Sequence, residues 1–187
     1  ALDSVKQEYE EEREQLVKDL QKHVRNLMGD TPINLNSPEQ LSWVIYSRKV
    51  KDKTYWANTI DRYMDDTDFR TLLSNDTERL YKTKAVQCTD CSGSGYITKT
   101  KKDGTPYARR NRCTTCNTAG FLFNSTNEIA GLKFKPPSSK WASANGFSTS
   151  KENLETLANI AKAKGMTDAA EFLSKVRRLS AVDTYLS

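Results

Sequence analysis

A mainly α fold is predicted from this sequence: a long antiparallel helical hairpin with short helices at its tip, and a small β-hairpin module inserted between its two halves. Three observations carry the prediction. An apolar stripe recurs at helical spacing near the start of the chain, the same spacing returns at its end, and between them the texture turns β-like around two pairs of cysteines. The 187 residues suit one domain, or one domain with a small satellite. An apolar fraction of 36% with 28% charged residues fits long, solvated helices better than a compact two-layer enzyme.

The first element follows from Val5, Tyr9, Leu16, Leu20, Val24 and Leu27, with Val17 and Met28 beside them, which line one side of a helix that Gly29-Asp30 stops. At about 1.5 Å per residue that helix is roughly 40 Å long, too long to be covered by a small globule, so a partner helix must protect its stripe. Ala169, Phe172, Leu173, Val176, Leu179 and Val182 supply the partner at the other end of the chain. Between the two, Ser37-Pro38-Glu39-Gln40 is a helix start, with Ser at the N-cap and Pro at the first helical position. Thr149-Ser150-Lys151-Glu152 reads as a second capping box, with Leu154, Leu157, Ala158 and Ala161 on one face and Gly165 ending the helix. Two further short helices are expected over 54–65 and 67–74. From about Leu80 onward, Tyr96-Ile97-Thr98 and Tyr107 flank Asp103-Gly104, a hairpin turn signal, and Lys135-Pro136-Pro137-Ser138-Ser139 reads as an extended return. The helical part is thus expected over 1–50 and 140–187, with an insertion over 51–139 holding the cysteine module at about 80–124. No internal repeat is read from the sequence.

The net charge of +5 is unevenly spread. Residues 82–112 carry Lys82, Lys84, Lys99, Lys101, Lys102, Arg109, Arg110 and Arg112 against only Asp90 and Asp103, whereas the first thirty residues are acidic on balance. Such a patch suits a polyanionic partner, although basicity alone serves solubility as often. No run approaches a membrane span and no secretory signal is legible, so a cytoplasmic protein without a membrane partner is expected. The chain opens on Ala1 already within a helical pattern and closes on Asp183–Ser187 without a helix stop signal, so both ends are expected to be cuts in a longer protein.

All four cysteines fall into two C-x-x-C turns, Cys88-Thr89-Asp90-Cys91 and Cys113-Thr114-Thr115-Cys116, on either side of the predicted hairpin. Each turn offers two thiolates to one ion and the hairpin brings the turns together, as a single structural, tetrahedral Zn²⁺ requires. His23 lies on the first helix, so four cysteines complete the site and leave no open position for catalysis. Two disulfides are the alternative, but nothing in the sequence points to an oxidising compartment. Gly93, Gly95 and Gly120 follow the pairs, where backbone amides can approach the sulfurs. The run Cys88-x-x-Cys91-x-Gly93-x-Gly95 resembles the zinc-binding repeat of the DnaJ chaperone family. The second half departs from it at Thr118, and that family has four such repeats, so the likeness is read as convergent zinc chemistry.

A second resemblance covers the helical part. Ile33-Asn34-Leu35-Asn36-Ser37-Pro38-Glu39-Gln40-Leu41, one loop after a long helix, resembles the Phe-Asn-Leu-Asn-Ser-Pro-Lys-Gln-Leu signature in the thumb of phage-type family A DNA polymerases, departing at Ile33 and Glu39. Gly146-Phe147-Ser148-Thr149-Ser150 is similar to that family's Gly-Tyr-Ser-Thr-Ser element. Arg177-Arg178-Leu179-Ser180-Ala181-Val182-Asp183-Thr184-Tyr185 is similar to its Arg-x-Leu-x-Lys-Leu-x-Ser-Thr-Tyr run, one residue shorter and with Ala181 in place of a lysine. The blocks come in the family's order and cover about 1–50 and 140–187.

The resemblance implies a thumb that lies along the minor groove of a primer–template duplex and holds backbone phosphates without reading sequence. It nominates Asn34, Asn36, Ser37, Gln40, Ser143, Asn145, Ser148, Thr149 and Arg177 as DNA contacts. Each also has a plainer reading, Ser37 and Thr149 as helix caps and the asparagines as turn residues. The parent is implied to be a DNA-directed DNA polymerase, a nucleotidyltransferase whose palm holds the Mg²⁺ ions; palm and fingers are not in this chain, so the fragment itself is expected to be non-catalytic. Asp61, Asp65, Asp66 and Asp68 are read as a solvated face. Lys99, Lys101, Lys102, Arg109, Arg110 and Arg112 are expected to extend the grip on DNA, or else to dock another replication protein. The competing readings are a chaperone-like or partner-binding zinc module carried on a helical stalk, and a free-standing zinc-ribbon DNA-binding protein.

Overall fold

The computed structural model describes residues 2–50, 77–143 and 146–187. The short helices expected over 54–65 and 67–74, and the acidic group from Asp61 to Asp68, lie outside the described residues.

Helix α1 spans Leu2–Met28, 27 residues, with Leu16, Leu20, Val24 and Met28 buried as the stripe requires. Helix α4, Thr167–Leu186, runs back along it and buries Ala169, Phe172, Leu173, Val176 and Val182. The antiparallel pairing is recorded by rungs between the two helices: Tyr9 stacks on Tyr185 at 4.1 Å between ring centroids, Arg178 forks onto Glu12 at 2.6 and 3.0 Å, and Lys175 meets Asp19 at 3.1 Å. Near the inner end His23 lies edge-on to Phe172.

Two short helices close the core. In α2, Pro38–Tyr46, the cap is the expected one: the Ser37 hydroxyl accepts from the Gln40 amide and Pro38 opens the helix. In α3, Lys151–Ala163, the N-cap is Ser150, whose hydroxyl accepts from the Asn153 amide, and not Thr149. The cap moves by one residue because Ser148, through hydrogen bonds from the Asn153 side chain at 2.8 Å and the Ser150 amide at 3.3 Å, already closes the preceding turn. Leu154, Leu157, Ala158 and Ala161 are buried as predicted. The core joins Leu20, Val24 and Met28 of α1, Leu41, Val44 and Ile45 of α2, Leu154 and Leu157 of α3, and Phe172, Leu173 and Val176 of α4. Burying side chains as fully as Leu20, Leu157, Phe172 and Leu173 stabilises by about 2 kcal/mol each.

The architecture is mixed, a correction to the mainly α hairpin expected from periodicity. Alongside four helices, the described residues form small antiparallel sheets. Strand β1, Arg48–Val50, pairs with β2, Thr77–Arg79. The longest strands, β3 at Tyr81–Gln87 and β6 at Phe121–Ile129, form a ribbon from Tyr81 opposite Ile129 to Gln87 opposite Phe121. Strands β4, Tyr96–Ile97, and β5, Asn111–Arg112, form the inserted hairpin, and β7, Ala142–Ser143, pairs with β8, Gly146–Phe147. The β3–β6 ribbon escapes a periodicity reading because exposed and half-buried residues follow no clean alternation along either strand.

The ribbon is rooted in the helical body. The Asp30 amide donates to Thr83 O and the Asp30 carboxylate accepts from the Ala85 amide, while Thr31 and Thr83 share a short hydroxyl hydrogen bond. On the return strand the Ala130 amide donates to Leu80 O, and those of Gly131 and Leu132 donate to Leu27 O and Val44 O. Ala130 itself belongs to the helical core. The root therefore lies where α1 ends, and the cysteines lie at the ribbon's far end. No helix among the described residues is long and apolar enough to cross a membrane.

Candidate metal centre and cationic hairpin

The ribbon ends at Gln87 and Phe121, and the four cysteines sit just beyond it, all buried and all free thiols. Their sulfurs lie within 4.8 Å of one another, with Cys88 Sγ and Cys113 Sγ 3.9 Å apart and Cys91 Sγ and Cys116 Sγ 3.7 Å apart. A tetrahedral ion with metal–sulfur bonds of about 2.3 Å holds its ligands about 3.8 Å apart, so this group is shaped to hold a metal ion.

The module is two copies of one turn. Cys88 O accepts from the Gly93 amide and Cys91 O from Ser94; 25 residues on, Cys113 O accepts from Thr118 and Cys116 O from Ala119. The Gly95 amide points at Cys91 Sγ at 3.2 Å and the Gly120 amide at Cys116 Sγ at 3.3 Å. The copies then lock together, since Cys88 N donates to Gly120 O and Cys113 N to Gly95 O, both at 2.9 Å. Asp90 and Thr115, equivalent positions, face each other in a 2.5 Å hydrogen bond. Gly95 and Gly120 have φ of +81° and +80°, and a Cβ on either would strike a backbone carbonyl, Thr118 O or Gly93 O respectively. Only glycine serves there. The 25-residue repeat, absent from the sequence reading, is visible in retrospect as Cys-Thr-x-Cys-x-x-x-Gly at Cys88–Gly95 and Cys113–Gly120. Of the glycines expected near sulfur, Gly95 and Gly120 point their amides at one, and the Gly93 amide, which donates to Cys88 O, also helps to lower the Cys91 thiol.

Electrostatics favour a bound cation. Burial works to raise the Cys91 thiol, yet the Gly95 amide and the neighbouring sulfurs bring it down to about 7. At Cys88 the amides of Cys91 and Asp90 work downward, but burial and the hydrogen bonds with Cys91 and Cys113 leave it raised to about 11. Four crowded sulfurs cannot all ionise without a positive centre, so protons leave as metal enters. Among the described residues Leu122 alone of the apolar side chains packs on the cluster. His23 sits on α1, 4.0 Å from Glu171, and is no part of it.

From the paired turns β4 and β5 lead directly into the hairpin. Its end is closed by Lys101 N to Thr105 O and Gly104 N to Lys101 O, with the Asp103 carboxylate accepting from the Thr105 amide and hydroxyl. Those hydrogen bonds hold the Asp103 carboxyl below its ordinary range. Lys99, Lys101, Lys102, Arg109, Arg110 and Arg112 are all exposed, and among the described residues none of them is in an ion pair. Arg110 lies over the Tyr96 ring at 4.4 Å and Lys101 over Tyr107 at 5.7 Å. Tyr96 and Tyr107 thus each carry a cation on one face.

The residues nominated on the helical part divide. Asn36, Thr149 and Arg177 line one cleft of about 240 Å³, together with Lys151 and Ser180, which the sequence reading missed. Pro38 and Lys151, the first residues of α2 and α3, both border it, so two helix N-termini open on the same space. Arg177 reaches Glu155 only at 3.5 Å. The remainder brace the tip: Asn34 Oδ1 accepts from the Asn36 amide, Gln40 Oε1 accepts from the Asn34 amide at 2.7 Å, and Ser37 and Ser148 hold the turns already described. Ser143 lies in β7 opposite Gly146, and Asn145 is outside the described residues. Lys151 was legible as the residue after a capping serine, a position whose side chain stands beside the helix N-terminus.

Comparison with protein-family models, with curated proteins and with solved structures finds no match to this chain.

Proposed function

We propose that the chain is the duplex-gripping thumb of a family A DNA polymerase, carrying an inserted module built around one structural Zn²⁺. The observation that carries this reading is the cleft where the N-termini of α2 and α3 meet Asn36, Thr149, Lys151 and Arg177. These elements bear the sequence blocks that resemble the polymerase thumb. Helix N-termini present unpaired amides and partial positive charge, and with two cations and neutral hydroxyl and amide groups beside them they suit phosphate oxygens. Such contacts set register without reading bases, as a polymerase requires. Cys88, Cys91, Cys113 and Cys116 would hold the zinc, whose contribution is to fold the insertion; with all four ligands supplied by protein there is no position for chemistry.

The test is binding of the 187-residue chain to unrelated duplexes across a salt series. Lys151→Ala and Arg177→Ala should each weaken all sequences alike and lower the log–log salt slope by about one unit. Duplex binding that neither substitution alters would reject the cleft. A second reading, a partner-binding zinc module, draws on the exposed Val86 and Phe121 near the ribbon's outer end. It requires a protein partner whose binding is lost when those two side chains become polar.

A further inference from the structure

We propose that the inserted hairpin is a second, metal-positioned grip on the phosphate backbone of duplex nucleic acid, separate from the cleft between the helix tips. The proposal rests on the thumb reading for its ligand, but its residues and its test are its own.

Three features of the hairpin carry it. Among the described residues its cations make no ion pair, and the two acids of 82–112 are both hydrogen-bonded elsewhere, Asp103 by Thr105 within the turn and Asp90 by Thr115 across the cysteine cluster. The cations are also held in place. A ring under the Arg110 guanidinium and another under the Lys101 ammonium limit how far these long side chains wander, so less freedom is lost on meeting a phosphate. Finally, the end of the hairpin lacks what a protein interface needs at its centre. Residues 98–110 contain Tyr107, with Pro106 and Ala108, but no Leu, Ile, Val, Phe, Met or Trp. Protein interfaces depend on buried aromatic and aliphatic anchors, whereas a phosphate backbone asks for charge and reach. Each strand running from the knuckles to the turn is roughly 20 Å long at about 3.3 Å per residue, enough to span several phosphates.

Metal enters through geometry. Strand β4 begins at Tyr96, directly after Gly95, and β5 ends at Arg112, directly before Cys113. Gly95 and Cys113 are the residues through which the two knuckles hydrogen-bond, so the hairpin's direction is set by the same contacts that close the metal site. Without the ion the cations keep their charge but lose their common orientation.

The experiment measures duplex affinity against salt for four forms of the full chain: zinc-loaded wild type, metal-stripped wild type, the Lys101→Ala/Lys102→Ala/Arg109→Ala/Arg110→Ala variant, and the Lys151→Ala/Arg177→Ala variant. Cobalt(II) substitution, read by its thiolate charge-transfer absorption, verifies that each loaded variant keeps the Cys₄ site. The hairpin variant should lose about 2 to 3 units of salt slope, with affinity near 0.1 M salt falling at least about tenfold for every sequence. Metal-stripped wild type should show the same loss. An unchanged slope in a hairpin variant that still binds cobalt overturns the proposal, and if that variant also stops retaining an acidic peptide, the hairpin is a protein-docking element. Loss in the hairpin variant and the metal-stripped chain but not in the cleft variant would sustain the proposal while rejecting the cleft; loss confined to the cleft variant would do the reverse, and a metal-stripped chain that binds as the loaded one does would overturn the metal's part in the grip. A wild-type chain without measurable duplex binding overturns both.

Discussion

The least comfortable residue in the metal module is Thr118. It takes the place that Gly93 holds in the first knuckle and adopts φ of +67°, where Gly93 has +83°. A β-branched side chain in the left-handed region costs on the order of 1 kcal/mol, which Gly93 avoids. Thr118→Gly should therefore tighten the second knuckle, seen as slower zinc loss to a competing chelator and a higher melting temperature of the loaded module. Unchanged or faster zinc loss would mean that the Thr118 hydroxyl, which bonds to Asn117 O at 2.5 Å, more than offsets the backbone strain. The same scale separates site from scaffold among the nominated DNA contacts. Residue type alone cannot separate them, because Asn, Ser and Gln suit phosphate oxygens and loop amides equally well. Asn34 and Gln40 spend their side chains on the α1–α2 loop, whereas Asn36, Thr149 and Arg177 face a shared cleft.

Among the elements, α1 and α4 depend on each other in a pH-dependent way. Hydrogen bonds from Arg178 hold the Glu12 carboxyl below its ordinary value, Lys175 does the same for Asp19, and Lys175 again for Glu171. Carboxyls lowered in the folded state contribute stability that is present above their unfolded values, near pH 4 to 4.5, and lost as pH falls through the folded values. The outer half of the pair should loosen first on acidification. Beyond Leu16, toward the helix ends, Val182 is the buried apolar side chain, and Val5 is 39% exposed. Amide hydrogen exchange of residues 3–13 and 178–186 should speed up below about pH 4 while the segment around Leu20 and Phe172 stays protected. Uniform exchange across α1 would mean that packing, not these pairs, holds its outer end. The ribbon's form follows from the same physics of covering: among the described residues β3 and β6 pair only with each other, so they read weakly as strands.

At the scale of the whole molecule, among the described residues the helical core and the cysteine cluster share no side chain, and Leu122 is the one apolar neighbour of the cluster. So small a core gives the cysteine module little apolar stability of its own. Removing metal should leave the helical circular dichroism almost unchanged while opening residues 88–120 to protease, and Cys91→Ser should do the same; loss of helical signal on chelation would show the two parts to be coupled. Zinc affinity should also fall as pH drops from 8 to 6, because each sulfur must give up its proton to bind. By itself the sequence determined the helical stripes, the α2 cap, the end of α3, the hairpin turn and the clustering of the four cysteines. Those are local: a 3.6-residue period, a capping serine, a turn dipeptide and a C-x-x-C spacing each act over a few neighbours. Tertiary structure decided the rest, because it depends on which distant segments meet. The β3–β6 ribbon needs strands from two sides of the metal site, and the matched knuckles need Gly95 beside Cys113. The cleft needs Asn36 from the turn before α2, Thr149 from the turn before α3 and Arg177 from α4, brought together by a core that none of them belongs to.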